Sequence, residues 1–179
     1  MTKYLFKIVS IGSAGVGKTS LIRRFAQGKF KKNYLPTLGV DITTKEVNIQ
    51  DVVVKLMCVD TAGQEYFGKL RGNYYRGANG CLLVFDLTRA PTFKDCPGWL
   101  NEFRMHMVDH EKIPLVLLGN KSDLLSEGAG DVASDEIREF CEREGLSYYE
   151  TSAKRGKNVE DAFQEMASRI LAFHVSGAE

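Results

Sequence analysis

The sequence has almost no net charge: 24 basic residues stand against 23 acidic ones, for a formal +1. That balance excludes a broad positive field able to hold polyanionic nucleic acid or a membrane surface, so any phosphate chemistry must be local and no nucleic-acid partner is expected. Paired cysteines are missing too. Cys58, Cys81, Cys96 and Cys141 stand apart, without a CxxC pair or a metal-ligand spacing, and read as reduced thiols in or near the core. No apolar run approaches membrane-spanning length. Lys3 and Lys7 interrupt the short apolar stretch between Met1 and Ile11, which excludes a secretory signal of ordinary form. Repeats, low-complexity tracts and linkers are also absent. What is there is a chain of 179 residues, 44% hydrophobic and 26% charged, long enough to bury a sizeable core without staples. We expect one soluble, intracellular domain over residues 1–175, with a short tail at 176–179.

Apolar runs of strand length alternate with helical patterns. The runs are Leu5 to Ile11, Val52 to Val59, Cys81 to Phe85, Leu115 to Leu118 and Leu146 to Tyr149, short and nearly continuous, as suits strands buried on both faces. Between them lie helical segments at Lys18 to Ala26, Tyr66 to Arg76, around Trp99 to Val108, Ser134 to Arg143 and Val159 to Phe173. The last has one apolar stripe through Val159, Phe163, Met166, Ile170 and Phe173, with Asn158 placed as N-cap. Cys96-Pro97-Gly98 is awkward inside a helix, so the helix there starts near Pro97 with Asp95 as its possible cap. Val40 to Ile49 alternates and predicts an edge strand, joined to Val52 to Val59 by a turn at Gln50 and Asp51. The alternation predicts an α/β fold with a doubly wound sheet, whose ligands bind beyond the carboxyl ends of the strands.

Immediately after the first strand stands Gly12-Ser13-Ala14-Gly15-Val16-Gly17-Lys18-Thr19, which satisfies G-x-x-x-x-G-K-[ST] and opens a helix. By average residue usage the pattern arises by accident in on the order of one chain of this length in a few hundred. Glycines let backbone N–H groups turn inward around phosphates, Lys18 supplies a mobile charge, and Thr19 offers a hydroxyl to magnesium. Such a loop alone leaves ATPase, kinase and GTPase open. At the end of a later strand stands Asn120-Lys121-Ser122-Asp123. A carboxylate at Asp123 can accept from both N1–H and the N2 amino group of guanine, and adenine offers no such pair. Asp60-Thr61-Ala62-Gly63-Gln64-Glu65 follows another strand, placing Asp60 to hold magnesium through water, Gly63 to bring its N–H to a terminal phosphate, and Gln64 to orient an attacking water.

These motifs, in this order, together with Tyr34 to Asp41, Tyr74 to Ala78 and Glu150 to Lys154, resemble a Ras-superfamily small GTPase, closest to the Rab branch, over roughly the whole chain. The resemblance implies a P-loop NTPase three-layer fold, a six-stranded mostly parallel sheet flanked by helices. It implies GTP or GDP as bound nucleotide, Mg2+ as cofactor, and a regulatory role in vesicle traffic. Effectors, a GTPase-activating protein and an exchange factor are the implied partners. Thr37 would bind magnesium with Thr19 and Asp60 and sense the γ-phosphate, in a first switch loop. Residues 63–71 would form the second switch, with Gln64, Gly63, Lys18 and Thr37 as the catalytic set. The nucleotide-binding set would run through Ser13, Ala14, Gly15, Val16, Gly17, Lys18, Thr19 and Ser20. Phe30 would pack on the guanine edge, Tyr34 would cover the phosphates, and Lys121 would lie along the base beside Asn120 and Asp123. Ala153 would offer its N–H to the guanine oxygen, with Ser152 and Lys154 shaping that loop.

Three departures from the Rab pattern stand out. Ala14 occupies a position that is often Ser in Rab proteins and Gly in Ras proteins, which bears on hydrolysis more than on binding. No cysteine follows Cys141, so a prenylation anchor is not encoded in this chain; either a further tail carries it or the protein works without it. The Rab aromatic triad is replaced by Ile42, Val59 and Tyr74, which we expect to present a smaller apolar patch to effectors. We expect a cytoplasmic monomer, peripheral to membranes only through a tail or a partner. The competing readings are a nucleotide-locked binding module and a P-loop ATPase or small-molecule kinase. His106 and His110 stand four apart on a helical pattern, but Met107 is not the glutamate of a zinc-protease motif, so a solvated or packed face is expected.

Overall fold

A computed structural model of the chain describes residues 4–32, 36–62, 68–108, 113–125 and 130–176. Strand β1 (Tyr4–Ile11) leads into helix α1 (Lys18–Gln27), and β2 (Val40–Ile49) and β3 (Val52–Thr61) follow as a hairpin. Next come α2 (Gly68–Tyr75), β4 (Gly80–Asp86), α3 (Ala90–Lys94), α4 (Cys96–Met105) and β5 (Leu115–Asn120). The chain continues through α5 (Ser134–Glu144) and β6 (Ser147–Glu150) to α6 (Val159–Ser176). The strands make one six-stranded sheet in the order β2-β3-β1-β4-β5-β6, parallel at every pairing except β2 with β3. This is the mostly parallel α/β sheet expected. The hairpin turns at Gln50 and Asp51, with Gln50 at φ 54° and Ile49 opposite Val52.

Successive side chains of a strand point to opposite faces, so continuous apolar runs feed two separate cores. On one face Phe6, Ile8, Leu82 and Val84 meet Leu21 and Phe25 of α1 and Phe163, Met166 and Ile170 of α6. On the other, Val9, Leu83 and Phe85 meet Tyr75, Trp99, Phe103 and Phe140. The rings of Phe25 and Phe163 stack with centroids 4.0 Å apart, fastening α1 to α6. All four cysteines are buried and free, and burial pushes the Cys58 thiol up to about 12, as fits inert core residues.

Local details differ from the expectations. Helix α3 has no counterpart among the predicted elements; Pro91 in its first turn starts it. Asp95 does precede α4, but its carboxylate caps nothing and accepts from the Ser13 hydroxyl instead (2.8 Å). Asn158 directly precedes α6 at φ 54°, its carbonyl accepting from the Ala162 N–H (3.2 Å) and its side-chain amide donating to the Glu150 carbonyl (2.8 Å), which ties the helix start to β6. His110 lies outside the described residues, and His106 ends α4 with Nδ1 against the Glu102 carbonyl (2.8 Å) and its ring edge-on to Tyr75. Among the described residues no cluster of His, Cys, Asp and Glu suits a metal ion.

Phe163 is fully buried at the stacked contact between the two helices that cover one face. Phe163→Ala is expected to lose about 3–5 kcal/mol of stability, read as a lowered urea midpoint at unchanged slope. A midpoint unmoved by the change would show that α1 and α6 do not depend on each other through this stack.

Candidate functional site

Because β1, β3, β4, β5 and β6 all run the same way, their carboxyl ends deliver five loops to one edge of the sheet. The first is the glycine loop. Gly12 has φ 138°, and a Cβ there would lie 2.2 Å from the Val84 carbonyl oxygen, so the loop backbone rests directly on β4. Gly17, at φ 105°, closes the loop, and a Cβ there would lie 2.2 Å from Nδ2 of Asn120. Lys18 folds back beneath the loop and donates from Nζ to the carbonyls of Gly12 (2.7 Å) and Ser13 (3.0 Å). Its side chain is buried, and desolvation pulls its ammonium down to about 8, with Asp60 acting in the opposite sense. Val16 is also fully buried, so its side chain belongs to the core and only its backbone faces the loop. Ala14 is exposed, while Ser13, Gly15, Thr19 and Ser20 are half-buried.

A second cluster is made of oxygens. Thr19 Oγ1 lies 2.7 Å from Thr37 Oγ1 and donates to Asp60 Oδ2 at 2.5 Å, and Thr37 Oγ1 reaches the same carboxylate oxygen at 3.4 Å. Asp60 is buried, and burial raises its pKa while the Thr19 hydrogen bond and Lys18 oppose the rise. Two hydroxyls and a carboxylate converging beside a buried lysine form a hard-oxygen donor set, which fits magnesium rather than a softer ion. All three residues of the expected metal set are thereby brought together.

At the far end of the edge, Asn120 acts as a bracket between loops. Its Nδ2 donates to the Val16 carbonyl (3.0 Å), and its Oδ1 accepts from the Ala153 N–H (3.2 Å) and the Thr151 hydroxyl (3.3 Å). Asp123 accepts from the Ser152 hydroxyl on one oxygen (2.6 Å), leaving the carboxylate further acceptor capacity. Lys121 sits at φ 68° with its ammonium on Asp86 Oδ2 (2.6 Å). Lys154 is exposed, and Phe30 is partly so at 36%. Tyr34, Gly63 and Gln64 lie outside the described residues.

Several supporting residues have no signal in the local sequence. Arg24 donates from α1 to the carbonyls of Ala153 (2.7 Å) and Lys154 (2.5 Å). Ser13 donates to Asp95 and accepts from Trp99 Nε1 (3.1 Å), and Arg89 donates to the Ala14 carbonyl (3.0 Å). Arg71 forks onto Glu102 (2.8 and 2.9 Å), lies over the Trp99 ring and reaches the Ala62 carbonyl (3.2 Å). The only cue available in the sequence was position: Asp86, like Asp60 and Asn120, ends a parallel strand at the ligand edge. One expectation is corrected. Val59 is fully buried among the side chains of the second core, so it adds nothing to an exposed patch with Ile42, which is 52% exposed, and half-buried Tyr74.

The family model described as Ras family matches residues 7–172. The chain is 43% identical to the Ras-related protein YPTC6 of Chlamydomonas reinhardtii, over 96% of this chain and 77% of that protein. It is 46% identical to the Ras-related protein YPT3 of Nicotiana plumbaginifolia, over 93% of this chain and 75% of that protein. Identity to the Ras-related protein RABA1c of Arabidopsis thaliana is 44%, over 93% and 76% of the two chains.

The close rest of the glycine loop on β4 sets a test. Gly12→Ala combines a backbone conformation foreign to alanine with a collision against the Val84 carbonyl, so a loss of at least about 2 kcal/mol is expected in thermal or urea unfolding. An unchanged unfolding midpoint would mean that the loop stands clear of β4.

Proposed function

We infer the roles of individual residues from one premise: the chain belongs to the Ras family of small GTPases. It is a Rab-like member that binds GTP and GDP, hydrolyses GTP, and interacts with regulators and effectors. Its work, on our reading, is to regulate vesicle traffic as a cytoplasmic monomer that reaches membranes through a partner or a further tail. The observation that carries the residue assignments is the convergence at one sheet edge of the Lys18 loop, the Thr19, Thr37 and Asp60 oxygens, and the Asp123 carboxylate.

Asp123 reads the guanine edge by accepting from its two adjacent donors, and Ser152 holds the carboxylate in place from the other side. Asn120 keeps the base loops and the phosphate loop in register. Lys18, poised under the loop, transfers its ammonium from the Gly12 and Ser13 carbonyls toward the phosphate oxygens. Thr19, Thr37 and Asp60 would hold magnesium, which when bound neutralises phosphate charge. Water attacks the γ-phosphorus, the bond to the oxygen bridging to the β-phosphate breaks, and GDP and inorganic phosphate result. Gln64 and the backbone near Thr37 orient that water, and Lys18 with the loop N–H groups stabilises the charge that develops. No side chain serves as a strong base, so intrinsic turnover is slow. In P-loop GTPases generally, an arginine supplied in trans adds on the order of a thousandfold or more.

Base choice is tested by Asp123→Asn, whose amide can donate to the oxygen that replaces the guanine amino group in xanthine. Affinity for GDP is expected to fall by roughly a hundredfold or more while xanthosine diphosphate gains. Equal competition of GDP and ADP for the unaltered protein, or unchanged GDP binding in the variant, would remove Asp123 from the base pocket. Catalysis is tested by Gln64→Leu, which keeps volume but cannot orient water. Single-turnover GTP hydrolysis should slow on the order of tenfold with GTP affinity within about twofold. Parallel loss of binding and turnover would instead give Gln64 a structural role.

A further inference from the structure

Asp86 ends β4 at the ligand edge, next to Asn120 of β5 across the parallel ladder. Its carboxylate is almost completely buried, at 1% exposure, and its two oxygens do different work. Oδ1 accepts from the N–H (2.9 Å) and hydroxyl (2.7 Å) of Thr88 and shapes the turn that follows the strand. Oδ2 faces two cations. The Lys121 ammonium is 2.6 Å away and Arg89 Nε is 3.5 Å away. Arg89 in turn donates from Nη2 to the Ala14 carbonyl at 3.0 Å, so its guanidinium joins Asp86 to the phosphate loop. Lys121 belongs to the loop that carries Asp123 and is held in a left-handed backbone conformation that a lysine adopts only under constraint.

We propose that Asp86 is a positioning residue of the nucleotide site: through Oδ2 it joins Lys121 of the base loop to Arg89 and the Ala14 carbonyl of the phosphate loop, so that both ends of the nucleotide pocket are set together. The proposal rests on the assignment of these loops to base and phosphates. Burial alone would raise the Asp86 carboxyl, but Lys121 and Thr88 hold it below the ordinary carboxylate range, so it stays ionised. Removing the carboxylate leaves Lys121 and Arg89 facing each other with no anion between them, whereas losing one cation leaves the other to carry the carboxylate alone and breaks the join between the loops. Nothing else described spans the same two loops by charge: the Asn120 bracket does so through neutral hydrogen bonds.

The division of labour between the oxygens makes the test clean. Asp86→Asn can keep the acceptor toward Thr88 while turning an amide donor toward the cations. Release of a fluorescent GDP analogue from the full chain, measured with magnesium present, is expected to be about tenfold faster or more in Asp86→Asn and in Lys121→Gln. Arg89→Gln, at a residue 48% exposed, should give a smaller increase, about threefold. The effects should fail to multiply: Asp86→Asn with Lys121→Gln should release GDP little faster than the more severe single variant, and the same should hold for Asp86→Asn with Arg89→Gln. A merely structural role would lower stability and give factors that multiply. If Asp86→Asn does not fold, the pair Arg89→Gln and Lys121→Gln decides, because their coupling runs through Asp86. Release within twofold of the unaltered chain in Asp86→Asn, or multiplying factors in these pairs, overturns the proposal. If Asp123→Asn weakens GDP binding while Asp86→Asn is silent, the site assignment stands and only this proposal falls; if Asp123→Asn is silent too, both fall.

Discussion

A parallel pair of strands cannot be closed by a tight turn, and that constraint organises everything else in this protein. Each crossover must leave the sheet at its carboxyl edge, cross a face as a helix and return at the amino edge. With β1 at the centre, between β3 and β4, the connections diverge to both sides and open a crevice where the direction of winding reverses. The glycine loop after β1 lies in that crevice. Asp60 approaches it from β3 on one side, while Asp86 and Asn120 approach from β4 and β5 on the other. Only the antiparallel β2 escapes the rule; it forms one edge of the sheet, with β6 at the other, and follows the loop that carries Thr37.

The same arrangement requires charge to be buried. Lys18, Asp60 and Asp86 are each nearly inaccessible, and each would be costly alone. Lys18 is compensated by two carbonyls and by the nearby Asp60, Asp60 by two threonine hydroxyls, and Asp86 by Thr88, Lys121 and Arg89. None of the buried side-chain polar atoms described lacks a partner. Phosphate loops are usually pictured as backbone cradles, but here the cradle is itself gripped from outside: Ser13 by Asp95 and Trp99, Ala14 by Arg89, Val16 by Asn120. Fixing the loop before the ligand arrives reduces what must be ordered on binding.

What could be read in the sequence was whatever depends on neighbours along the chain. Continuous apolar runs marked the inner strands, though the last of them became β6, a half-buried strand at one edge; alternation marked β2 at the other, and the glycine spacing marked the loop after β1. Helix α3 escaped because it is five residues long, too short for a helical period to show. Asp95 does stand at the N-cap position of α4, but its carboxylate is drawn to Ser13, because local pattern supplies a cap position and cannot supply a competing partner from elsewhere in the chain. The contacts of Arg89 with Ala14 and of Trp99 with Ser13 join residues 75 and 86 positions apart, and no local signal encodes them. Val59 failed for a related reason: strand period places it opposite Ile42 on one face, but whether another layer covers that face is a tertiary fact.

That burial changes how a signal from the nucleotide can reach the surface. From Val40 onward β2 is locked to β3 by a continuous ladder that pairs Asp41 with Asp60 and Ile42 with Val59, and the Ala62 N–H closes it on the Gly39 carbonyl (3.0 Å). Thr37, two residues before that lock, is held by the side chains of Thr19 and Asp60. Loss of contacts at the phosphate end therefore acts on the segment before Gly39, where Leu38 is 83% exposed, more readily than on Ile42, whose strand cannot shift without breaking register. Among the described residues, Val59 lies beneath the sheet's cover, so of the apolar side chains beside Thr37 and along the start of β2, Leu38 stands exposed before the lock and Ile42 on the locked strand. Of the two, Leu38 lies on backbone that the β2–β3 ladder has not yet taken up and Ile42 on backbone that it fixes, so a change at Thr37 reaches the first more directly than the second.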